Sequence, residues 1–371
     1  MEKIVLRISL FAVVVILASC LREPNLKLPF TTFVPVNLND GWEISTPSAE
    51  GIDEAELRKI YEYFHESPDL WQVRSLLVFR NNRLVAESYT KNPAEITELV
   101  PIWSCTKQII GILAGIAIDK GYIDDINDPI QKYLPSEIAR FPDKGAITIR
   151  NLLQMQSGIA FFNDGFKGGA HSLLLQIPSN SVDFILGKPM HFPQGERFHY
   201  NDGDPHLISA IIQRQTSKTT RDWADEVLFS KINFKNYTWA VYKDGVTLGG
   251  NGISTTPREM ARIGQLVLNN GYWNGVQIIS SEWINEMTSV KIPENQVNFA
   301  NVAHTSFGYQ WWINESRGVV FMGGRGGQFV FVKPSKNLVV VTTADPTDSS
   351  DHAFSLGSAL RIFDRIDRIS N

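Results

Sequence analysis

The sequence predicts an α/β (α+β) domain: an antiparallel sheet built from both chain ends, flanked by helices, with a large helical insertion. Three observations carry this. Apolar, β-branched runs occur early, at Val73–Phe79 and Leu84–Tyr89, and again late, at Gly318–Met322, Phe329–Val332 and Leu338–Thr343. The stretch from about 160 to 300 reads instead as helical and loop-rich. A closing amphipathic pattern, with Ala353, Phe354, Leu356, Leu360, Phe363 and Ile366 on one side, supplies a terminal helix.

The first residues stand outside this domain. Lys3 and Arg7 precede an apolar segment from Ile8 to Leu17, of signal-peptide length and too short to span a bilayer comfortably. It ends in Leu17-Ala18-Ser19-Cys20, which resembles a bacterial lipobox. That resemblance implies cleavage before Cys20, lipid on Cys20, and a place in the bacterial cell envelope, on the outer membrane or the periplasmic face. An ordinary secretory signal with a chance cysteine is the alternative. Three prolines and little periodicity between Leu21 and Asp40 suit a tether. The expected organisation is a lipoprotein signal peptide (1–19), a lipidated Cys and tether (20–45), and the folded domain (46–371). The α/β part of that domain would take about 46–100 and 301–371, and the helical part about 101–300.

Within the domain, Glu54–Phe64 reads as an amphipathic helix. Arg80-Asn81-Asn82-Arg83 separates the first two strand-like runs and predicts a β-hairpin. A helix from about Ser104 to a glycine cap at Lys120-Gly121 follows. Asn151–Met155 forms a short helix stopped at Ser157-Gly158. Further helices are expected at Pro205–Gln215, Thr219–Phe229 and Pro257–Asn269.

The 371 residues, 43% hydrophobic and 20% charged, suffice for a full globular core. A net charge of −4 leaves no basic patch, so nucleic acid is not an expected partner. Once the signal is removed and Cys20 lipidated, Cys105 is the remaining cysteine, which rules out a disulfide framework. Cys105 is read as a small buried packing residue; the alternative is a thiol nucleophile.

The chemistry centres on Ser104-Cys105-Thr106-Lys107, which opens the apolar run Ile109, Ile110, Ile112, Leu113, Ile116. On a helix, residues three apart share a face, which brings the Lys107 amine to the Ser104 hydroxyl. A serine becomes a nucleophile when an adjacent base takes its proton. The helix, apolar nearly all round, would hold Ser104 at the tip of a buried rod. A helix N-cap is the competing role for this serine. A second copy, Ser88-Tyr89-Thr90-Lys91, closes a strand, where residues three apart face opposite sides, and reads as a solvated strand end.

Two more motifs complete the set: Tyr200-Asn201-Asp202 just before a helix, and Gly323-Gly324-Arg325-Gly326-Gly327-Gln328 leading into a late strand. In this order the three resemble the serine β-lactamase/penicillin-binding-protein superfamily. The likeness is to its class C β-lactamase-related serine hydrolases, a branch that includes esterases and 6-aminohexanoate-dimer hydrolases. It covers about 51–366 and implies a β-lactamase/transpeptidase-like fold. It also implies that Ser104 is the acylated nucleophile and Lys107 its base, with Tyr200 as the proton shuttle. The backbone N–H groups of Ser104 and Gln328 would form the oxyanion hole, and Gly326 and Gly327 would line the substrate strand.

Asp202 and Arg325 depart from the family pattern, which has Asn and Lys there. A carboxylate near Lys107 would favour the ammonium and hand general-base work to Tyr200. Arg325 would either hold a substrate carboxylate or sit as a solvated charge. No Gly-x-Ser-x-Gly elbow or metal-ligand spacing is present, and no cofactor or metal is expected. Gly249-Gly250-Asn251-Gly252 reads as a turn, and Tyr309, Trp311 and Trp312 as groove-lining or core aromatics. The expected function is a membrane-anchored serine hydrolase acting on small esters, amides or peptides through a Ser104 acyl-enzyme. A β-lactamase or D,D-peptidase acting on cell-wall peptides, and a catalytically silent cell-wall-binding lipoprotein, are the alternatives.

Overall fold

The computed structural model describes residues 27–163, 180–297, 304–345 and 354–371. The lipobox and Cys20 lie outside the described residues. In chain order the early strands are β1 (Glu43–Ile44), β2 (Val73–Arg80), β3 (Arg83–Tyr89) and β4 (Val100–Pro101). The middle of the chain adds β5 (Tyr237–Trp239), β6 (Ile253–Thr255), β7 (Tyr272–Trp273) and β8 (Val276–Gln277). The late strands are β9 (Ser306–Phe307), β10 (Trp312–Asn314), β11 (Val319–Gly324), β12 (Gln328–Lys333) and β13 (Leu338–Ala344).

Eight strands form one sheet in the order β1-β3-β2-β13-β12-β11-β10-β9, so both chain ends contribute to it, as expected. Its pairings are antiparallel except β1 with β3, which is parallel. The β2–β3 hairpin turns on Asn81 and Asn82, at φ 49° and 67°. Two left-handed residues match the strand twist, and asparagine tolerates that region. The two ends join where β2 pairs β13, from Arg80↔Leu338 to Leu76↔Thr342.

Period-two alternation divides the sheet between two cores. Leu77, Phe79, Val330, Val332, Val339 and Val341 face one side, with the Cys105–Asp119, Gly203–Thr216 and Pro257–Leu268 helices. Leu76, Val78, Phe329, Phe331, Leu338 and Val340 face the other, under the Glu54–Glu66 and Leu356–Arg368 helices. Asp53 caps the first of these, accepting from Ala55 and Glu56 N–H at 3.0 Å, and Leu57, Ile60, Tyr61 and Phe64 form its buried stripe. Of the closing helix's expected apolar residues, Ala353 lies outside the described residues.

The described part of the expected tether lies along the domain. Phe33 is buried and its carbonyl accepts from Glu87 N at 2.8 Å. Arg258 joins Glu87 of β3 to Val36 O and Asp40, with the Asp40 contact at 2.9 Å. The second Ser-x-x-Lys copy is not solvated. Ser88 is buried and its hydroxyl meets His65 Nε2 at 2.7 Å, while Lys91 pairs with Asp345. Ser88 is covered because His65 of the Glu54–Glu66 helix lies over that face of β3, its Nδ1 meeting Leu28 O of the N-terminal segment at 2.8 Å.

Candidate active site

The Cys105–Asp119 helix is buried from Cys105 to Ala117, and it carries its N-terminus to the end of the sheet where β11 turns into β12. Trp103, just before it, holds φ 50°. For a non-glycine residue that conformation costs about 1–3 kcal/mol and persists where its surroundings over-determine it. Ser104 follows at the N-cap position, yet its hydroxyl caps nothing. It accepts instead from Lys107 Nζ at 3.0 Å. The serine hydroxyl thus faces Lys107 rather than capping the helix.

Lys107 is fully buried. Its ammonium also donates to the Asp202 carboxylate and, at 2.6 Å, to Gly250 O, and it lies 4.9 Å from the centre of the Tyr200 ring. Tyr200 hydrogen-bonds both Ser104 and Lys107. Trp312 stacks on the Tyr200 ring at 5.5 Å and fixes its plane. Ser104, Lys107, Tyr200 and Asp202, which the sequence expected to meet, are therefore in one network.

Burial alone would lower the lysine's affinity for its proton. The Asp202 carboxylate, with Tyr200 adding to it, outweighs burial and holds Lys107 above the ordinary lysine range. Burial, with Asp202, also lifts the Tyr200 phenol above its usual value, although Lys107 and the Ser104 hydrogen bond pull it back. At neutral pH the network is ammonium, phenol and serine hydroxyl.

Asp202 occupies the N-cap position of the Gly203–Thr216 helix without capping it. The helix dipole favours negative charge there. Asn201 does the local work, accepting from Asp204 N at 2.7 Å and donating to His199 O at 2.8 Å. This frees Asp202 to face Lys107 on one oxygen and Asn251 Nδ2, at 3.3 Å, on the other.

Gly250 and Asn251 are site residues that sequence reasoning assigned only to a turn. A Cβ on Gly250 would lie 2.6 Å from Asp202 Cβ, so the carbonyl that Lys107 uses can approach only from a glycine. The signal was the glycine density of residues 249–252. Asn163, whose Oδ1 accepts from Asp202 N at 3.1 Å, had no such signal.

Gly326 and Gly327 form the β11–β12 turn at φ 83° and 108°. Gln328 opens β12, and its carbonyl accepts from Cys105 Sγ at 3.3 Å while its side chain donates to Ala344 O at 2.5 Å. Cys105 is fully buried, and burial pushes its thiol well up, so it is a donor and packing group rather than a thiolate. Arg325 is half-buried, with its guanidinium 5.7 Å from the Trp103 ring centre. Tyr309 and Trp311 are core residues, with Trp311 Nε1 donating to Gln108 O at 3.2 Å. Among the described residues, no group of three or more His, Cys, Asp or Glu side chains is placed to hold a metal.

A serine hydroxyl, a buried amine and a phenol are joined at the head of a helix, beside the end of the sheet where β11 turns into β12. The beta-lactamase family model matches residues 74–356. The chain belongs to that family and is a serine hydrolase of the β-lactamase/transpeptidase-like fold. It is 24% identical over 315 residues to the 6-aminohexanoate-dimer hydrolase of Paenarthrobacter ureafaciens, covering 80% of this chain and 79% of the relative. Its fold is similar to that of a family VIII carboxylesterase (TM-score 0.67, 17% identity, 86% of this chain and 99% of that one). It is also similar to a class C beta-lactamase variant (TM-score 0.62, 12% identity, 85% and 96%).

Proposed function

We propose that the protein is a lipid-anchored hydrolase that cleaves a small ester or amide through an acyl-enzyme on Ser104. The observation that carries this reading is the 3.0 Å contact from Lys107 Nζ to Ser104 Oγ, with Tyr200 bonded to both. Once the Tyr200–Lys107 pair has released one proton to solvent, Ser104 Oγ attacks the substrate carbonyl and its proton fills the vacated site on that pair. The same pair returns the proton to the leaving alcohol or amine. Water then cleaves the acyl-enzyme by the reverse route. The backbone N–H groups of Ser104 and Gln328 would receive the oxyanion, with Gln328 braced by Cys105 and Ala344.

Asp202 and Arg325 favour linear esters and amides over β-lactams. Arg325 offers a planar, bidentate partner for a substrate carboxylate, and Gly326 and Gly327 give the substrate close access to the strand. The lipobox-like Leu17-Ala18-Ser19-Cys20 supports anchoring through Cys20 in the cell envelope.

A fluorophosphonate probe with intact-mass readout tests the nucleophile. Wild type and Ser88→Ala should gain one adduct, and Ser104→Ala none; an adduct on Ser104→Ala would sink the assignment. Rapid turnover of nitrocefin, a chromogenic β-lactam, would move the reading to a β-lactamase. For the anchor, metabolic labelling with an alkyne fatty acid should mark the wild type and not Cys20→Ser.

A further inference from the structure

We propose that a second site, at the opposite end of the sheet from Ser104, binds a neutral oligosaccharide. A cavity of about 430 Å³ opens between the β2–β3 turn, the start of β1, the end of the Pro257–Leu268 helix and the β7–β8 hairpin. That volume lies in the range of small-molecule sites. Asn81 N bonds Asn337 O, which places the cavity beside the Lys333–Leu338 end of β12 and β13, whereas Gln328 begins β12 at the other end. None of its lining residues belongs to the Ser104 network, so the proposal stands independently of the hydrolytic reading.

The lining combines aromatic faces with side-chain amides. Trp273 presents its ring to the cavity, backed by the buried Trp42, which meets it edge to face at 6.0 Å and packs on Phe79 at 4.5 Å; the Arg262 guanidinium sits 4.9 and 5.9 Å from the Trp42 and Trp273 rings. This clamps the aromatic wall in place before any ligand arrives. Tyr272, 42% exposed, extends the wall outward. Gln265 donates to Asn82 and, at 3.5 Å, to Asn269 Oδ1. The buried Gln265 Oε1 and Trp42 Nε1 have no hydrogen-bond partner among the described residues.

The charges cancel. Arg83 pairs with Glu43 at 3.1 Å and Glu50 at 3.2 Å, which removes it as an anion hook. Left-handed turns account for asparagine at 81, 82 and 274. They do not account for Trp42, Gln265, Asn269, Tyr272 or Trp273. Planar amides pair donor with acceptor as vicinal hydroxyls require, and aromatic faces suit the apolar face of a pyranose. A peptide would need a strand edge to pair with, and the adjoining β1 is two residues long.

The test is calorimetric titration of the purified protein with chitotetraose and with maltotetraose, and with dextran sulfate as the charged counterpart. At least one neutral tetrasaccharide should bind saturably. Trp273→Ala should weaken binding about tenfold, roughly 1.4 kcal/mol, with fluorophosphonate labelling of Ser104 unchanged. If Trp273→Ala lowers the melting temperature, the exposed Tyr272→Ala and Asn269→Ala carry the comparison and should each weaken binding severalfold. Absence of saturable binding, equal binding by all variants, or preference for the sulfated polymer would overturn the proposal.

Discussion

Asp202 and Lys107 form an ion pair beneath Ser104, with side chains 9% and 0% exposed. The pair keeps the amine protonated in a place where burial would otherwise strip the proton from it. Ser104 therefore rests beside a donor, and attack requires the network to lose a proton first. For this reason phosphonylation of Ser104 by the fluorophosphonate should quicken as pH rises from 6 through 9, with no plateau near neutrality.

Replacing Asp202 by Asn removes the charge that raises Lys107 and leaves burial to act alone. The amine should then release its proton at lower pH. A carboxylate shifts a neighbouring group by roughly one to three units, so labelling of Asp202→Asn at pH 7 should be about tenfold faster or more. The rate–pH curve should move to lower pH as well. An unchanged curve would mean that Lys107 takes no part in the proton transfer.

Arg325 makes a different claim, about substrate rather than protons. Arg325→Ala should raise KM for a carboxylate-bearing p-nitrophenyl ester roughly tenfold, in line with the loss of a charge-assisted hydrogen bond. The neutral ester of equal length should be little affected. Equal losses on both esters would show that Arg325 shapes the turn instead of binding the substrate.

Asp204 links the site to stability. Burial pushes its carboxyl up to about 7 from an ordinary 3.8, against hydrogen bonds from Ser157 and Asn201 that lower it. Between those values the unfolded chain has lost the proton and the native protein still holds it. Stability therefore falls as pH rises through that window and levels off above it. The size is on the order of a few kcal/mol. Asp204→Asn should flatten the decline of melting temperature between pH 4 and 7, and a decline as steep as wild type would refute the attribution.

The Cys105–Asp119 helix has little room for growth. A Cβ at Gly115 would lie 2.1 Å from Trp283 Cδ1, and that indole is tied to Gly111 O at 3.0 Å. Gly115→Ala should cost about 1–3 kcal/mol through overpacking. Urea denaturation should show this as a lower midpoint with an unchanged slope.

What the sequence disclosed follows from the range of the forces involved. The Asn81-Asn82 hairpin, the stripe of the Glu54–Glu66 helix and the Ser104/Lys107 spacing are local, and each was legible before any coordinates. The meeting of Tyr200 and Asp202 with Lys107 was legible only through motif order, because the fold and not the spacing brings them together. β1, β9 and the β4–β6–β5 sheet are two or three residues per strand, and such strands exist only through their partners. The burial of Ser88 escaped for a similar reason: strand alternation says which residues share a face, not whether a neighbouring segment covers it. Asn163 and the amide-lined cavity are assembled from segments far apart in sequence, with no repeating pattern to mark them.

The eight-stranded sheet ends in two-residue strands on both sides, β1 with its exposed Glu43 and β9 with Ser306 and Phe307. Past β1, residues 27–36 lie against β3 and use its outer groups, as the bond from Glu87 N to Phe33 O records. Among the described residues, neither margin offers another copy a length of open backbone to extend. The molecule is thereby guarded against polymerising through its own sheet, a protection that matters most where many copies crowd together in a confined space.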